Sequence, residues 1–269
     1  MPMPTDSRAD RRALVPHVPR YELLGVRISA LDLPQAVAHI RLLATTPGRA
    51  GYVCVRDVNG IMACQRDPEL RRIHDKAALV TPDGMPVVWW GRLCGHREVG
   101  RVYGPELMGL LCGQPPGAGL RHFLCGGEPG VAELLRQKLQ ERFPGLWVAG
   151  TWTPPFRPLS PAEYDALAER IAGSGANLVW IGLSSPKQER FMAELAPRLP
   201  GGLLIGVGAA FDFLSGRKRQ APRWIQRSGF EWLFRLLTEP RRLWRRYLIG
   251  NSRFLWLLLR TLCRGEIRS

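Results

Sequence analysis

The stretch "ALVTPDGMPVVWWGRL" (residues 78–93) sets one apolar run, ending at Val80, against another, Met85 to Leu93, across the turn Thr81-Pro82-Asp83-Gly84. The first run reads as the end of a buried strand and the second as an apolar helix, with Pro and Gly marking the turn between them. Strand, tight turn and helix form the repeating unit of a parallel α/β sheet, and its turn falls at the carboxyl edge, where ligands bind. Asp83 stands in that turn with two roles open to it. It can cap the helix, because Asp accepts the free N–H groups of a first turn, or it can face a ligand.

The same unit recurs along the chain. Upstream are a strand-like run from Tyr21 to Ile28, a helix from about Pro34 to Ala44, and "GYVCVRD" (51–57) followed by a helical stretch ending near Asp75. Downstream come helical stretches around 85–94 and 104–113, "RHFLCGG" (121–127), and a helix reaching about Arg142 before Pro144-Gly145 stops it. "LWVAG" (146–150), a helix from about Pro161 to Ala172, "ANLVWIG" (176–182), a helix after Pro186 and "GLLIGVGAAF" (202–211) complete the series. Such alternation predicts a mostly parallel sheet with helices on both faces. Near Gly216 the pattern changes to Arg-rich and Trp-rich helical sequence. The expected organisation is therefore a flexible N-terminal segment (1–20), an α/β domain (21–216) and a helical appendage (217–269).

The chain has 269 residues, 45% of them hydrophobic, enough for one large or two modest domains with a full core. Six cysteines, at 54, 64, 94, 112, 125 and 263, are scattered without a C-x-x-C pair, and read as buried thiols in a reducing compartment. Residues 1–20 lack the apolar segment of a signal peptide. The late run Phe254 to Leu259, bounded by Arg253 and Arg260, is far short of the roughly 20 residues that span a bilayer. A cytoplasmic protein is expected. The net charge is +15, yet from Arg217 onward 14 Lys/Arg face three Glu, so +11 belongs to the appendage. Such a block suits nucleic acid, an anionic membrane or a phosphorylated substrate.

Four strand ends carry polar or glycine-rich turns: "RDVNG" (56–60), "TPDGM" (81–85), "GGEPG" (126–130) and "LSSPKQE" (183–189). "GGEPG" can admit phosphate to a helix N-terminus but lacks the dinucleotide fingerprint. In "GVGAAFDFLSG" (206–216), Asp212 lies between two phenylalanines and needs a partner. There is no D-x-D, no Ser-His-Asp or Cys-His pattern, and the five His are dispersed, so no metal site and no cofactor is expected. Phosphate chemistry here would draw its positive charge from Arg and helix N-termini.

On a helix at 100° per residue, Arg241, Arg242, Arg245 and Arg246 occupy one half, and Leu243, Trp244, Tyr247 and Leu248 the other. Upstream, Trp232, Leu233, Leu236 and Leu237 repeat the spacing around Arg235, and Pro240 separates the two segments. Leu and Trp opposite the arginines suit lipid better than phosphate contacts alone, which favours an anionic membrane surface over nucleic acid.

Taken together, "VNGIMACQRDPELRRI" (58–73), the opening stretch, "RVYGPELM" (101–108), "FLCGGEPGVAE" (123–133), "IGLSSPKQERFM" (181–192), "GVGAAFDFLSG" and "APRWIQRSGFEWLFRLLTEPRRLWRRY" (221–247) resemble the WecG/TagA/CpsF-type bacterial glycosyltransferases. That family includes the N-acetylmannosaminyltransferases of teichoic-acid and enterobacterial common-antigen synthesis. The resemblance, over about residues 21–250, implies a Rossmann-like catalytic domain and a membrane-meeting C-terminal appendage on the inner face of the cytoplasmic membrane. It also implies metal-independent, inverting transfer of a hexose or N-acetylhexosamine from a UDP-sugar to a sugar on undecaprenyl diphosphate, with homo-oligomerisation left open.

Residue by residue, it makes Asp83 the catalytic base and Gly84 its neighbour in the "DGM" motif. It places Asp57, Asn59, Gly84, Arg101, Lys187, Gln188, Glu189 and Asp212 at substrate, and Arg235, Arg241, Arg242, Arg245 and Arg246 at the diphosphate and the membrane. Where many members carry T-x-N, this chain has Asp57-Val58-Asn59, a carboxylate in place of a hydroxyl, and Pro86 replaces a second small residue. Those departures fit a branch transferring another hexose, such as an exopolysaccharide glucosyltransferase. A non-catalytic basic membrane- or nucleic-acid-binding protein is the reading from another class.

Overall fold

The computed structural model describes residues 16–264, the side chains of Arg227 and Arg242 excepted. The chain enters through β1 (Arg20–Leu23) and β2 (Val26–Ser29), an antiparallel hairpin. Six further apolar runs form one parallel sheet: β3 (Ala50–Arg56), β4 (Leu79–Pro82), β5 (His122–Gly126), β6 (Val148–Trp152), β7 (Leu178–Gly182) and β8 (Gly202–Gly206). Their spatial order is β4-β3-β8-β7-β5-β6. The connecting helices are α1 (Leu33–Thr45), α2 (Val58–Cys64), α3 (Pro68–Lys76), α4 (Met85–Leu93), α5 (Gly104–Cys112), α6 (Val131–Arg142), α7 (Pro161–Gly173), α8 (Lys187–Leu195) and α9 (Ala210–Leu214).

Strand side chains alternate between two cores, as the period of two requires. Tyr52 and Cys54 of β3 join Ile61, Ile73, Val87, Leu167 and Met192 from α2, α3, α4, α7 and α8 on one face. Val53 and Val55 join Ile40, Leu107, Leu135 and Phe211 from α1, α5, α6 and α9 on the other. This is the expected Rossmann-like architecture. The chain leaves β5 toward the second face and the adjacent β7 toward the first, and such a reversal at the carboxyl ends is where parallel sheets usually take ligands. Gly126, at the end of β5, has φ 140°, and a Cβ there would lie 2.7 Å from the Gly182 backbone.

Three sequence expectations are corrected. The run Tyr21 to Ile28 is not a strand of the main sheet, because Leu24 and Gly25 take positive φ and fold it into the hairpin. That hairpin lies beside the edge strand β4, where Val80 N–H donates to Ser29 Oγ at 3.1 Å, and so shields an edge open to foreign strands. The helical stretch ending near Asp75 is two helices, since Asp67 caps α3 by accepting from Leu70 N–H at 3.0 Å with Pro68 at the first helical position. Of the six thiols, Cys263 is exposed.

Beyond Gly216 run α10 (Arg223–Ser228), α11 (Glu231–Thr238), α12 (Pro240–Trp244), a π-helical turn (Arg245–Ile249) and α13 (Gly250–Cys263). These helices lie on the α/β unit: Phe254 is buried in the first core, Leu257 and Leu258 pack against it, and α13 touches α2. The apolar half expected at the membrane is divided, with Leu243 and Tyr247 buried against protein and Trp244 and Leu248 exposed.

Gly126→Ala combines a left-handed backbone with a clash against backbone that no rotamer relieves. It is expected to lower the unfolding free energy by about 3 kcal/mol, read from urea melts. A loss under about 0.5 kcal/mol would show that the ends of β5 and β7 are not tightly packed at Gly126.

Candidate active site at the carboxyl edge

Asp83 follows β4 directly, and its N–H donates to Arg56 O at 2.7 Å, extending the strand pairing by one residue. The cap of α4 is Gly84, with φ 123° and no side-chain cap bond, so the capping role open to Asp83 is not taken. Its carboxylate turns instead to Arg101, whose Nε and Nη2 donate to Oδ1 at 3.2 and 3.1 Å. Val102 N–H, bonded to Pro82 O at 2.7 Å, fixes the loop that presents this arginine.

Arg101 is engaged all round. Its Nη2 also donates to Glu231 Oε2 at 2.5 Å, its Nη1 to the Gln226 carbonyl at 2.8 Å, and its guanidinium sits 4.3 Å from the Tyr103 ring centroid. With five N–H donors available, the fork has one left for a ligand. Burial pushes the Asp83 carboxyl up to about 6, with Glu231 and Asp57 adding to the shift and Arg101 opposing it. A carboxyl so tuned holds or releases a proton close to neutral pH.

Asp57 ends β3 and caps α2, its Oδ1 accepting from Gly60 N–H at 2.9 Å. Its Oδ2 accepts from Arg246 Nη2 at 2.8 Å. Burial works to raise the Asp57 carboxyl, but Arg246, the Gly60 N–H, Arg56 and Arg235 together hold it below the usual carboxylate range. Asn59, one turn on, is half-buried. Arg235 lies 5.9 Å from the Phe213 ring centroid, and its buried Nε has no hydrogen-bond partner.

At the end of β7, Gln188 accepts from Gly208 N–H at 3.1 Å and donates to Glu189 at 2.8 Å, tying the β7 and β8 turns together. Glu189 is 0% exposed and ion-paired with Arg56, which also donates to Ser185 Oγ at 2.9 Å. It thus has no face toward a substrate, and its expected positioning role gives way to a structural one. Lys187 is exposed beside the Phe156 ring, and half-buried Asp212 pairs with Lys218 at 3.4 Å.

The structure therefore gathers Asp57, Asp83, Gly84, Arg101, Arg235 and Arg246 at the ends of β3 and β4, with Asn59 alongside. Lys187, Gln188 and Asp212 lie along the neighbouring ends of β7 and β8. Arg241 and Arg245 are exposed, away from the ion pairs; Arg242 lies outside the described residues. Sequence reasoning missed Glu231, Gln226 and Tyr103, although the first two sit in the quoted run 221–247.

Residues 21–268 match the family model described as the glycosyl transferase WecG/TagA/CpsF family. The chain belongs to this family. A glycosyltransferase must accept a proton from an attacking hydroxyl and steady the charge left on the departing group, and both kinds of residue stand at this edge. Its carboxylates face arginines, and among the described residues no group of three or more His, Cys, Asp or Glu is placed to hold a metal ion.

In this glycosyltransferase, Glu189→Ala would leave Arg56 charged and sealed from water. It is expected to cost about 3–5 kcal/mol of stability, whereas Lys187→Ala should stay within about 0.5 kcal/mol. Denaturant midpoints of the two variants check this; equal midpoints would return Glu189 to the substrate.

Proposed function

We propose that this glycosyltransferase moves a hexose or N-acetylhexosamine from a UDP-sugar to a sugar on undecaprenyl diphosphate, by a metal-independent, inverting reaction with Asp83 as base. The observation that carries this reading is the state of the Asp83 carboxylate: uncapped, 22% exposed, and bound through Oδ1 alone. Oδ2 remains to take the acceptor's hydroxyl proton as that oxygen attacks the donor's anomeric carbon and the bond to UDP breaks.

Negative charge then grows on the diphosphate. Arg101, with one N–H to spare, is better suited to orient Asp83 than to grip it. Arg235 and Arg246, facing the same edge from the appendage, supply the countercharge. Gln188, Asn59 and Asp212 border the donor.

The appendage offers a docking surface for the cytoplasmic leaflet. Trp224 (72% exposed), Leu237 (73%) and Leu259 (61%) stand out with Trp244, Leu248 and Trp256, among exposed Arg241, Arg245, Arg253 and Arg260. No helix among the described residues is long and apolar enough to cross a membrane, so the attachment proposed is peripheral.

A panel of UDP-sugars offered with a short-chain lipid-diphosphate acceptor, under excess EDTA, should release UDP with one donor. Silence with every donor, or activity only after Mg²⁺ is restored, would sink the proposal. Asp83→Asn should lower turnover by about 10²–10⁴ while retaining UDP binding. For the unaltered enzyme kcat/KM should fall as pH drops below about 6, because the base is then protonated; a rate flat down to about pH 4 would exclude it.

Each exposed arginine near an anionic surface contributes about 1 kcal/mol. Replacing Arg241, Arg245, Arg253 and Arg260 together by Glu should therefore release the protein from anionic vesicles in flotation. Unchanged binding by the folded variant would remove the membrane reading.

A further inference from the structure

Arg101 meets Asp83 in an unusual way. A side-on guanidinium ordinarily places two parallel N–H bonds on the two oxygens of a carboxylate. Here Nε and Nη2 converge on Oδ1 alone, at 3.2 and 3.1 Å. The offset has a visible cause: Nη2 is drawn to Glu231 Oε2 at 2.5 Å and Nη1 to the Gln226 carbonyl at 2.8 Å, both in the appendage. The two anchors hold the guanidinium at its Nη1 and Nη2 end.

We infer that Glu231 is a positioning residue for the base: by holding Arg101 off-centre, it keeps Asp83 Oδ2 free for the acceptor's proton. The inference rests on the reading of Asp83 as base and assigns a residue of the appendage to its preparation. Without Glu231 the fork recentres on Asp83, binds both oxygens and stabilises the carboxylate too well for it to act as a base. A purely mechanical latch between appendage and sheet would need no particular arrangement at Asp83.

The charged and titratable groups around Asp83 agree with this division. Arg101 and Tyr103 face it from the loop before α5, Glu231 from α11 and Asp57 from the end of β3; Arg235, Arg246 and Arg56 act on it through Asp57 and Glu231. Asp57 is ion-paired with Arg246 instead. Glu231 is therefore the carboxylate in direct competition with Asp83 for Arg101.

The test is Glu231→Gln, which keeps shape and removes charge, with Glu231→Asp as the charge-retaining control, both checked for folding by circular dichroism. In protein with ¹³C-labelled aspartate carboxyls, the Asp83 resonance is assigned by its absence in Asp83→Asn. In Glu231→Gln its titration midpoint should fall by about one pH unit. The acid limb of kcat/KM should move with it, and kcat should drop roughly tenfold. Glu231→Asp should restore the midpoint to within a few tenths of a unit, roughly the effect of a retained neighbouring charge.

An unmoved Asp83 midpoint in Glu231→Gln, or a rate lowered equally at every pH, would overturn the inference and leave Glu231 as a latch. The titration needs no substrate. Failure of the base reading, seen as turnover surviving in Asp83→Asn, is thereby told apart from failure of the positioning role.

Discussion

Arg101 carries two carboxylates from distant parts of the chain, Asp83 at 3.1 Å and Glu231 at 2.5 Å, and the whole carboxyl edge is arranged around that sharing. Charges withdrawn from water need partners, because an unpaired buried ion costs several kcal/mol. Asp83 cannot leave solvent without Arg101, and the appendage cannot lie over the edge without giving Arg101 its remaining partners. One guanidinium thus joins the sheet's carboxylate to helices more than a hundred residues later.

The same rule sorts the basic charge of the appendage. Arg246 turns inward because Asp57 needs a second donor, and Lys218 sits between Asp212 and Glu239 at 3.4 and 3.6 Å. Arg241 and Arg245 are exposed, as are Trp244 and Leu248. A helix that looked uniformly basic on one side therefore divides, with Arg246 turned to Asp57 and Arg241 and Arg245 left exposed. Deeper in the sheet, Arg56 and Glu189 follow the rule to its limit, fully buried and bonded to each other, and hold the β3 and β7 turns at a constant spacing.

Much of this was legible in the residues. Alternating apolar runs and longer periodic segments determined the strands and helices of the Rossmann-like unit, because side-chain period and burial are local properties. Position alone put Asp83, Gln188 and Asp212 near the carboxyl edge, since each lies within a few residues of the end of a strand run. The appendage was equally plain from composition. The hairpin at 20–29 was not, because a two-residue turn at Leu24-Gly25 leaves an apolar run that reads as one strand.

What only the tertiary structure decided is how the charges are matched. A sequence shows that Asp83, Arg101, Glu231, Asp57, Arg246, Arg56 and Glu189 exist, but an ion pair spanning 130 or 189 positions leaves no local pattern. Charge satisfaction is set by which groups folding brings within bonding distance after water is removed, and that depends on strand order and on the seating of the appendage. So the sequence by itself determined the architecture and the line of candidate residues along one edge. The packing decided that Asp83 is uncapped and half-claimed by Arg101, that Glu189 is sealed away, and that Glu231 belongs to the site.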